Sequence, residues 1–171
     1  MLNIKTTILT ITACYTSFSC SPESDQRIKN EKGNYSITKL ANWDYKLKNR
    51  STMIEQTSNF DSLEVTGSIL IAPADSELSL EDTFDAIQRD LPNSLQDFQK
   101  INEGSTEING RQTKWLKLSY TLYDFKYISL RYYLKLSEKK AVMIDCSSIN
   151  GTFEYFEEDF NKMAFSLRVE K

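Results

Sequence analysis

The sequence predicts an α+β domain in which an antiparallel β-sheet is flanked by α-helices. Two patterns lead to this fold class. In the second half of the chain, three successive segments alternate apolar and polar residues, which is typical of an antiparallel meander with one apolar face. One segment before this meander and one after it carry apolar residues at helical spacing instead. Strands, helix, meander and helix therefore follow one another along the chain.

The first half of the chain is predicted to contribute three short strands. Tyr35–Leu40 and Thr52–Thr57 are candidates, and Glu64–Ile71 is a stronger one that ends at Ala72-Pro73.

The first helix is predicted to begin after Ser79, which with Asp82 resembles a capping box. We expect Pro92 to stop this helix, because its ring cannot continue the backbone hydrogen bonds. Leu95 and Phe98 then suggest one more helical turn. The apolar side of the helix is formed by Leu80, Phe84, Ile87 and Leu91.

The meander follows Asn109-Gly110, a dipeptide between two β-like runs that is a strong signal of a type I′ hairpin turn. Its strands are predicted at Gln112–Tyr123, Lys126–Leu136 and Ala141–Ser148. A last helix, from about 153 to 167, carries an apolar stripe of Phe153, Phe156, Phe160, Met163, Ala164 and Leu167.

The amino-acid composition argues against several classes of function. The 171 residues include 21 basic and 24 acidic side chains, giving a net charge of −3, so a charge-driven DNA- or RNA-binding protein is not expected. The chain has no histidine, which removes histidine triads, histidine metal sites and the usual general base near neutral pH. We therefore expect no catalytic site, no metal and no cofactor.

The first 19 residues are predicted to be a secretory signal peptide. Lys5 provides a short positive region, and a modest apolar stretch follows it. That stretch is too short to span a bilayer, which takes about 20 apolar residues. The chain turns abruptly polar after Cys20.

The residues Ser17-Phe18-Ser19-Cys20 resemble a bacterial lipobox, with Ser17 where that motif usually has Leu. The resemblance implies cleavage before Cys20 and lipidation of Cys20, and hence membrane attachment through the lipid. The acidic stretch at 21–25 resembles a surface-export signal of Bacteroidetes lipoproteins. In enterobacterial lipoproteins, an Asp directly after the lipidated cysteine resembles a signal for retention in the inner membrane. Ser21 stands at that position here, so the resemblance implies the outer membrane. The alternative is an ordinary signal peptide cut near Ser19, which leaves Cys20 as a free thiol.

Residues 20–34 are predicted to form the lipidated N-terminus and a flexible tether, because 21–34 contains many charges and one aliphatic residue, Ile28. The folded domain is accordingly predicted to span 35–171.

Several short motifs in 35–169 resemble, in order and spacing, those of the PsbP-like and DcrB-like family. They are Tyr35-Ser36-Ile37 with Trp43, the start of the first helix at 79–82, the hairpin at 108–113, the pair 133–136 and 141–144, and the final Phe153, Phe156, Phe160 and Phe165-Ser166-Leu167. The resemblance implies a sheet between helices, an α/β/α sandwich. Members include photosystem II extrinsic subunits, envelope lipoproteins, chaperones of secretion effectors and a Ran-binding import factor, so it also implies a non-catalytic binding role. No functional position matches one of theirs.

Four residues of the meander form the candidate binding face: Trp115, Lys117, Arg131 and Tyr133. Aromatic and cationic side chains of this kind anchor protein interfaces. Pairing of Leu116 with Leu134 would place Lys117 opposite Tyr133 on one face of the sheet. The alternative is that a helix covers this face and the aromatic rings are packing.

The expected function is a lipid-anchored lipoprotein of the cell envelope whose domain binds a protein or ligand without catalysis. One alternative is a chaperone or assembly factor that shields apolar segments of another protein, which an exposed apolar groove would favour. The other is a hydrolase based on carboxylates, which needs two acidic side chains roughly 5–10 Å apart in a deep cleft. Cys146 is expected to be a buried core thiol, and Glu154, Glu157, Glu158 and Asp159 the solvated side of the last helix.

Overall fold

The computed structural model describes residues 24–60 and 62–170, which form two β-sheets and two α-helices. The strands are β1 (Gln26–Asn30), β2 (Tyr35–Lys39), β3 (Asp44–Lys48), β4 (Ser51–Phe60), β5 (Leu63–Pro73), β6 (Gln96–Ile108), β7 (Arg111–Leu122), β8 (Phe125–Lys135), β9 (Ala141–Ile149) and β10 (Arg168–Val169). The helices are α1 (Leu80–Ser94) and α2 (Phe153–Phe165).

The larger sheet has seven antiparallel strands in the order β3-β4-β5-β9-β8-β7-β6. The predicted hairpin at Asn109-Gly110 joins β6 to β7, and both turn residues have positive φ, 47° and 76°, as a type I′ turn requires. The smaller sheet has the order β1-β2-β10.

The two sides of the large sheet are covered differently. Helix α2 and the small sheet cover the side that we call the α2 face, and α1 covers β6, β7 and β8 on the opposite side, the α1 face. The core of the α2 face includes Ile54, Ile69, Ile71 and Ile144 from the sheet and Phe153, Phe156, Phe160 and Met163 from α2. The core of the α1 face consists of Phe84, Leu91, Leu116, Leu118 and Tyr133. The predicted fold class is confirmed.

Helix α1 begins as predicted and ends later. The Asp82 N–H donates to Ser79 Oγ at 3.0 Å, so Ser79 is the N-cap. Pro92 does not stop the helix, which continues to Ser94, because Pro92 removes one backbone donor close to the end and Leu91 is held in the core. The predicted extra turn is also wrong. Leu95 is the C-cap of α1 and has an extended backbone, and Phe98 lies in β6. Both side chains pack against the core of the α1 face.

The folded domain starts earlier than predicted. Strand β1 pairs with β2 from Gln26 onwards, and its Ile28 and Asn30 are buried. The Asn30 side chain donates to Tyr35 Oη and Thr52 Oγ1, both at 3.3 Å, and accepts from the Gly33 N–H at 2.8 Å. The prediction of a flexible segment up to residue 34 is therefore wrong for 26–34, because one aliphatic side chain and one hydrogen-bonded Asn suffice for a buried strand face. The predicted signal peptide and Cys20 lie outside the described residues.

The predicted register of β7 and β8 is wrong. Leu116 pairs with Arg131 and Lys117 with Leu130, three positions from the predicted pairing of Leu116 with Leu134. Since side chains alternate between the two faces, a shift by an odd number moves one strand's apolar residues to the opposite face. Leu116 and Leu118 therefore face α1, whereas Leu130 and its alternate neighbours face α2. The meander has two apolar faces and not one.

Candidate functional site: a groove between the sheet and α2

The structure divides the four predicted binding residues between two faces. Trp115 pairs with Tyr132 and Lys117 with Leu130 on the α2 face. Tyr133 and Arg131 lie on the α1 face, so the four side chains do not form one surface.

Tyr133 is a packing residue beneath α1. It is 2% exposed, and its ring makes an edge-to-face contact with Phe84 at 5.7 Å. Its buried hydroxyl makes no hydrogen bond of ordinary geometry within 24–60 and 62–170. Burial raises the pKa of this hydroxyl to about 12, against the opposing effect of the nearby Arg131 guanidinium. The alternative interpretation, a helix over the predicted face, therefore applies to Tyr133.

Arg131 belongs to a buried ion pair. Its Nε donates to Asp145 Oδ2 at 3.0 Å and to Ser129 Oγ at 3.2 Å, and Ser129 Oγ donates to Asp145 Oδ1 at 2.6 Å. The side chains of Arg131 and Asp145 are 11% and 12% exposed. This network connects β8 to β9 across the sheet and offers little surface to a partner.

Trp115 and Lys117 line a groove of about 750 Å³ between β6–β8 and α2. We call it the α2 groove. Its apolar side chains are Trp115, Leu130, Tyr132 and Phe165. Its polar side chains are Asn102, Thr106, Lys117, Glu157, Asn161 and Lys162.

The position of the Trp115 indole depends on Gly104, its partner on β6. A Cβ atom at Gly104 would lie 2.8 Å from the indole ring, so only glycine lets the ring lie across the strand. The ring thus extends from β7 over β6 towards the edge of the sheet. Trp115 remains partly exposed in this position.

Hydrogen bonds and one ion pair fix the walls of the α2 groove. Lys117 Nζ lies 2.8 Å from Glu157 Oε1 and 4.6 Å from the centre of the Phe153 ring. Tyr132 Oη donates to Asn161 Oδ1 at 2.7 Å, and burial raises the pKa of Tyr132. Phe165, in edge-to-face contact with Tyr132, is 41% exposed. The groove therefore offers fixed aromatic surfaces with polar groups around them.

The chemistry of the groove suits binding. Glu157 is the single carboxylate among the described lining residues, and it is already paired with Lys117. Cys146 lies in the core, where burial raises the pKa of its thiol. No three His, Cys, Asp or Glu side chains converge on a possible metal position within 24–60 and 62–170.

The acidic residues of α2 do not form a joint site. Glu154 and Glu158 are exposed as predicted, and Glu158 pairs with Lys162 at 2.7 Å. Asp159 Oδ2 instead accepts from the Trp43 indole N–H at 3.2 Å.

Sequence reasoning found two of the ten described residues that line the groove, Trp115 and Lys117. Leu130 and Tyr132 were not among the predicted binding residues, because the wrong register assigned the apolar residues of both strands to one face. Asn161 and Phe165 were missed because they come from α2, and the predicted face was built from the meander alone. The β7–β8 turn at Tyr123-Asp124 sets the true register, with φ of 49° and 66°. Asp tolerates this conformation but Tyr is not a turn signal, so the sequence hides the turn.

Within the part of the chain that the structure describes, neither helix has the length and apolar character needed to cross a bilayer.

Solved structures share this fold at low sequence identity. CyanoP, a cyanobacterial PsbP from Synechocystis sp. PCC 6803, is 17% identical with a TM-score of 0.61, over 88% of this chain and 95% of its own. LpqN of Mycobacterium tuberculosis, described as involved in cell envelope biogenesis, is 9% identical with a TM-score of 0.65, over 86% and 91%. The Ran-binding protein MOG1P of Saccharomyces cerevisiae is 8% identical with a TM-score of 0.55, over 86% and 96%. The chain thus has a PsbP-like fold.

No protein-family model and no curated protein matches the sequence.

Proposed function

We propose that this protein is a lipid-anchored lipoprotein of the cell envelope whose domain binds a partner protein in the α2 groove without catalysing a reaction. The observation that carries the proposal is the groove itself. Trp115 and Phe165 present aromatic surface there, beside the buried ring of Tyr132, and aromatic side chains contribute a large share of interface energy. Nothing in its lining provides an activated nucleophile or a pair of free carboxylates among the described residues.

The anchor part of the proposal rests on Ser17-Phe18-Ser19-Cys20. Two or three acyl chains on Cys20 would hold the domain on a membrane almost permanently, whereas one chain binds only marginally. The domain then needs no membrane-binding face of its own. The outer membrane is the proposed location.

Photo-crosslinking from the groove tests the binding site for a partner protein of any identity. Benzoylphenylalanine at Phe165 places the reactive group in the groove, and the same residue at Tyr123, which is 86% exposed on the β7–β8 turn, is the matched control. We expect a discrete covalent adduct with another protein from position 165 and none from 123. Adducts of equal yield from both positions, or none from 165, would overturn the proposal.

A chaperone or assembly factor is the second candidate, and the exposed aromatic surface of the groove favours it. The two functions differ in when the partner is bound. A chaperone would crosslink to newly made client, and the adduct would disappear during a chase as the client folds. A binding module would give an adduct whose yield does not fall during the chase.

A further inference from the structure

We propose that the α2 groove takes an extended peptide segment of the partner, which adds to the large sheet as a strand beside β6. This inference rests on the proposed function and specifies its partner. Strand β6 is one edge of the seven-stranded sheet, and β7 is its single partner within 24–60 and 62–170. An edge strand leaves alternate backbone N–H and C=O groups free, which is what an added strand recognises.

The hairpin shows which backbone groups of β6 point outwards. Ile108 and Arg111 flank the two-residue turn and exchange hydrogen bonds with each other. Because the pattern alternates along an antiparallel pair, the N–H and C=O groups of Glu107, Ser105 and Glu103 point away from β7. Ser105 and Glu107 offer both their N–H and their C=O groups to an added strand. Glu103 offers its C=O, because its N–H already donates to Asn102 Oδ1 at 2.9 Å.

The part of β6 beside the groove is regular enough to accept a strand. Register shifts occur between Gln96 and Gln99 and between Lys100 and Asn102, and such bulges discourage pairing at an edge. From Asn102 to Ile108 each residue has one partner on β7 without a shift. The irregularity is thus confined to the half of the edge that precedes the groove residues Asn102 and Thr106.

Side chains at this edge define what the peptide must carry. On the α2 face, β6 presents Asn102, Gly104 and Thr106, and the Trp115 ring extends over Gly104. An added strand lies about 4.8 Å from β6, so its side chains on the α2 face would contact the indole edge. Every second residue of the peptide should therefore be apolar.

The opposite side of the same edge is polar. Glu103 and Glu107 lie on the α1 face and are exposed, and Glu103 pairs with Lys100 at 2.8 Å. The remaining peptide positions should therefore be polar or basic, because carboxylates directly opposite acidic residues repel each other across strands. The inferred partner segment alternates apolar with polar or basic residues.

The experiment uses a phage-displayed library of random nonapeptides selected on the full chain in detergent micelles. Selected peptides are synthesised with a fluorophore, and their affinity is measured by fluorescence polarisation. We expect apolar residues at alternate positions. Ser105→Pro removes one outward N–H of β6 and should weaken binding at least tenfold, as should Trp115→Ala. Leu47→Pro, in β3 at the opposite edge of the sheet, is the matched control and should retain binding.

The outcomes separate this inference from the proposed function. Loss with Trp115→Ala but not with Ser105→Pro would retain the groove and overturn strand addition. Binding that neither variant weakens would overturn both. Selected peptides whose apolar residues do not alternate with polar ones would overturn strand addition. A dimer of the chain that Ser105→Pro dissociates would also overturn it, because a second copy would then occupy the edge of β6. Circular dichroism of each variant verifies that the sheet is intact.

Discussion

At the scale of single residues, the buried polar groups of the sheet differ in how well they are satisfied. The Tyr133 hydroxyl is buried beneath α1 without a hydrogen bond of ordinary geometry, whereas Arg131 and Asp145 nearby satisfy each other together with Ser129. A buried hydroxyl without a partner costs about 1–3 kcal/mol, and a buried ion pair is costly chiefly when one member is removed. Removing the Tyr133 hydroxyl should therefore not lower the free energy of unfolding, whereas removing the Asp145 carboxylate should lower it.

Tyr133→Phe should leave the free energy of unfolding at pH 7 unchanged or raise it by about 1 kcal/mol, because it removes an unpaired buried hydroxyl and keeps the ring on Phe84. The pKa of Tyr133 is raised from 10.0 to about 12 in the folded state. The parent chain therefore keeps its stability below pH 10 and loses part of it as the pH rises from 10 to 12, because the hydroxyl ionises more readily in the unfolded state. Urea titrations at pH 10 and pH 12 should show that the variant loses less stability between these two values than the parent chain does. A clear destabilisation of the variant at pH 7 would contradict the conclusion that the Tyr133 hydroxyl lacks a hydrogen bond.

Asp145→Ala should lower the free energy of unfolding by about 3–5 kcal/mol, because it leaves the Arg131 guanidinium buried without its counter-ion. Glu158→Ala is the matched control, since it removes an exposed partner of Lys162 one helical turn away. Exposed pairs of this kind contribute little to stability, because water and salt screen them. Chemical denaturation of both variants measures the contrast, and equal losses would rule out the buried network.

At the scale of elements, β1 shows how little apolar surface a strand needs. It holds one aliphatic residue, Ile28, within a highly charged stretch, and it is nevertheless one of three strands in the small sheet. The arrangement works because Ile28 and Asn30 point inwards while Arg27 and Lys29 point outwards.

Ile28→Ala should lower the free energy of unfolding by about 2–4 kcal/mol, since the side chain is 4% exposed in the core. Lys29→Ala, at the next position of the same strand, should stay within about 0.5 kcal/mol. The urea midpoints of the two variants, compared with that of the parent chain, measure this difference in stability. If neither differed from the parent chain, 26–30 would behave as the flexible segment that composition alone suggests.

The elements that the sequence revealed are those with a strong local signal. Ser79 marks the start of α1, Asn109-Gly110 marks a hairpin, and the Phe stripe marks α2. The missed features depend on tertiary context. β10 has only two residues, and β3 is an exposed edge strand of five residues. Pro92 is tolerated because Leu91 is held in the core, and the β7–β8 turn lacks a turn residue at Tyr123. Trp115 and Lys117 are two of the ten described lining residues of the groove. Leu130 and Tyr132 required the register, and the other six lie on β6 and α2, whose position beside the meander is tertiary.

At the scale of the whole molecule, the early start of the fold brings the domain close to its proposed anchor. The Asp25 carboxylate accepts from the Ala41 N–H at 3.0 Å, so ordered contacts reach that residue. If Cys20 carries the lipid, as proposed, the chain from Cys20 to Asp25 can extend over about 20 Å at most. The Ala41 corner of the domain would then face the bilayer, in contrast to the longer separation that a flexible segment up to residue 34 would permit.

Energy transfer in liposomes tests this arrangement. A donor on Ala41→Cys should label selectively, because Cys146 is buried with a raised pKa and Cys20 would be blocked by lipid. We expect strong transfer to an acceptor dye in the bilayer. A Gly/Ser linker of 20 residues inserted between Glu23 and Ser24 should reduce it, since such a linker adds a root-mean-square length of about 25 Å.

The anchor itself has a separate control. Cys20→Ala should abolish incorporation of labelled fatty acid and leave the protein off the liposomes, whereas the linker variant should remain lipidated. Wild-type protein without lipid would refute the anchor. Lipidated protein whose transfer is unaffected by the linker would refute the close approach alone, because the lipid would then be present while the short connection had no influence on the position of the domain.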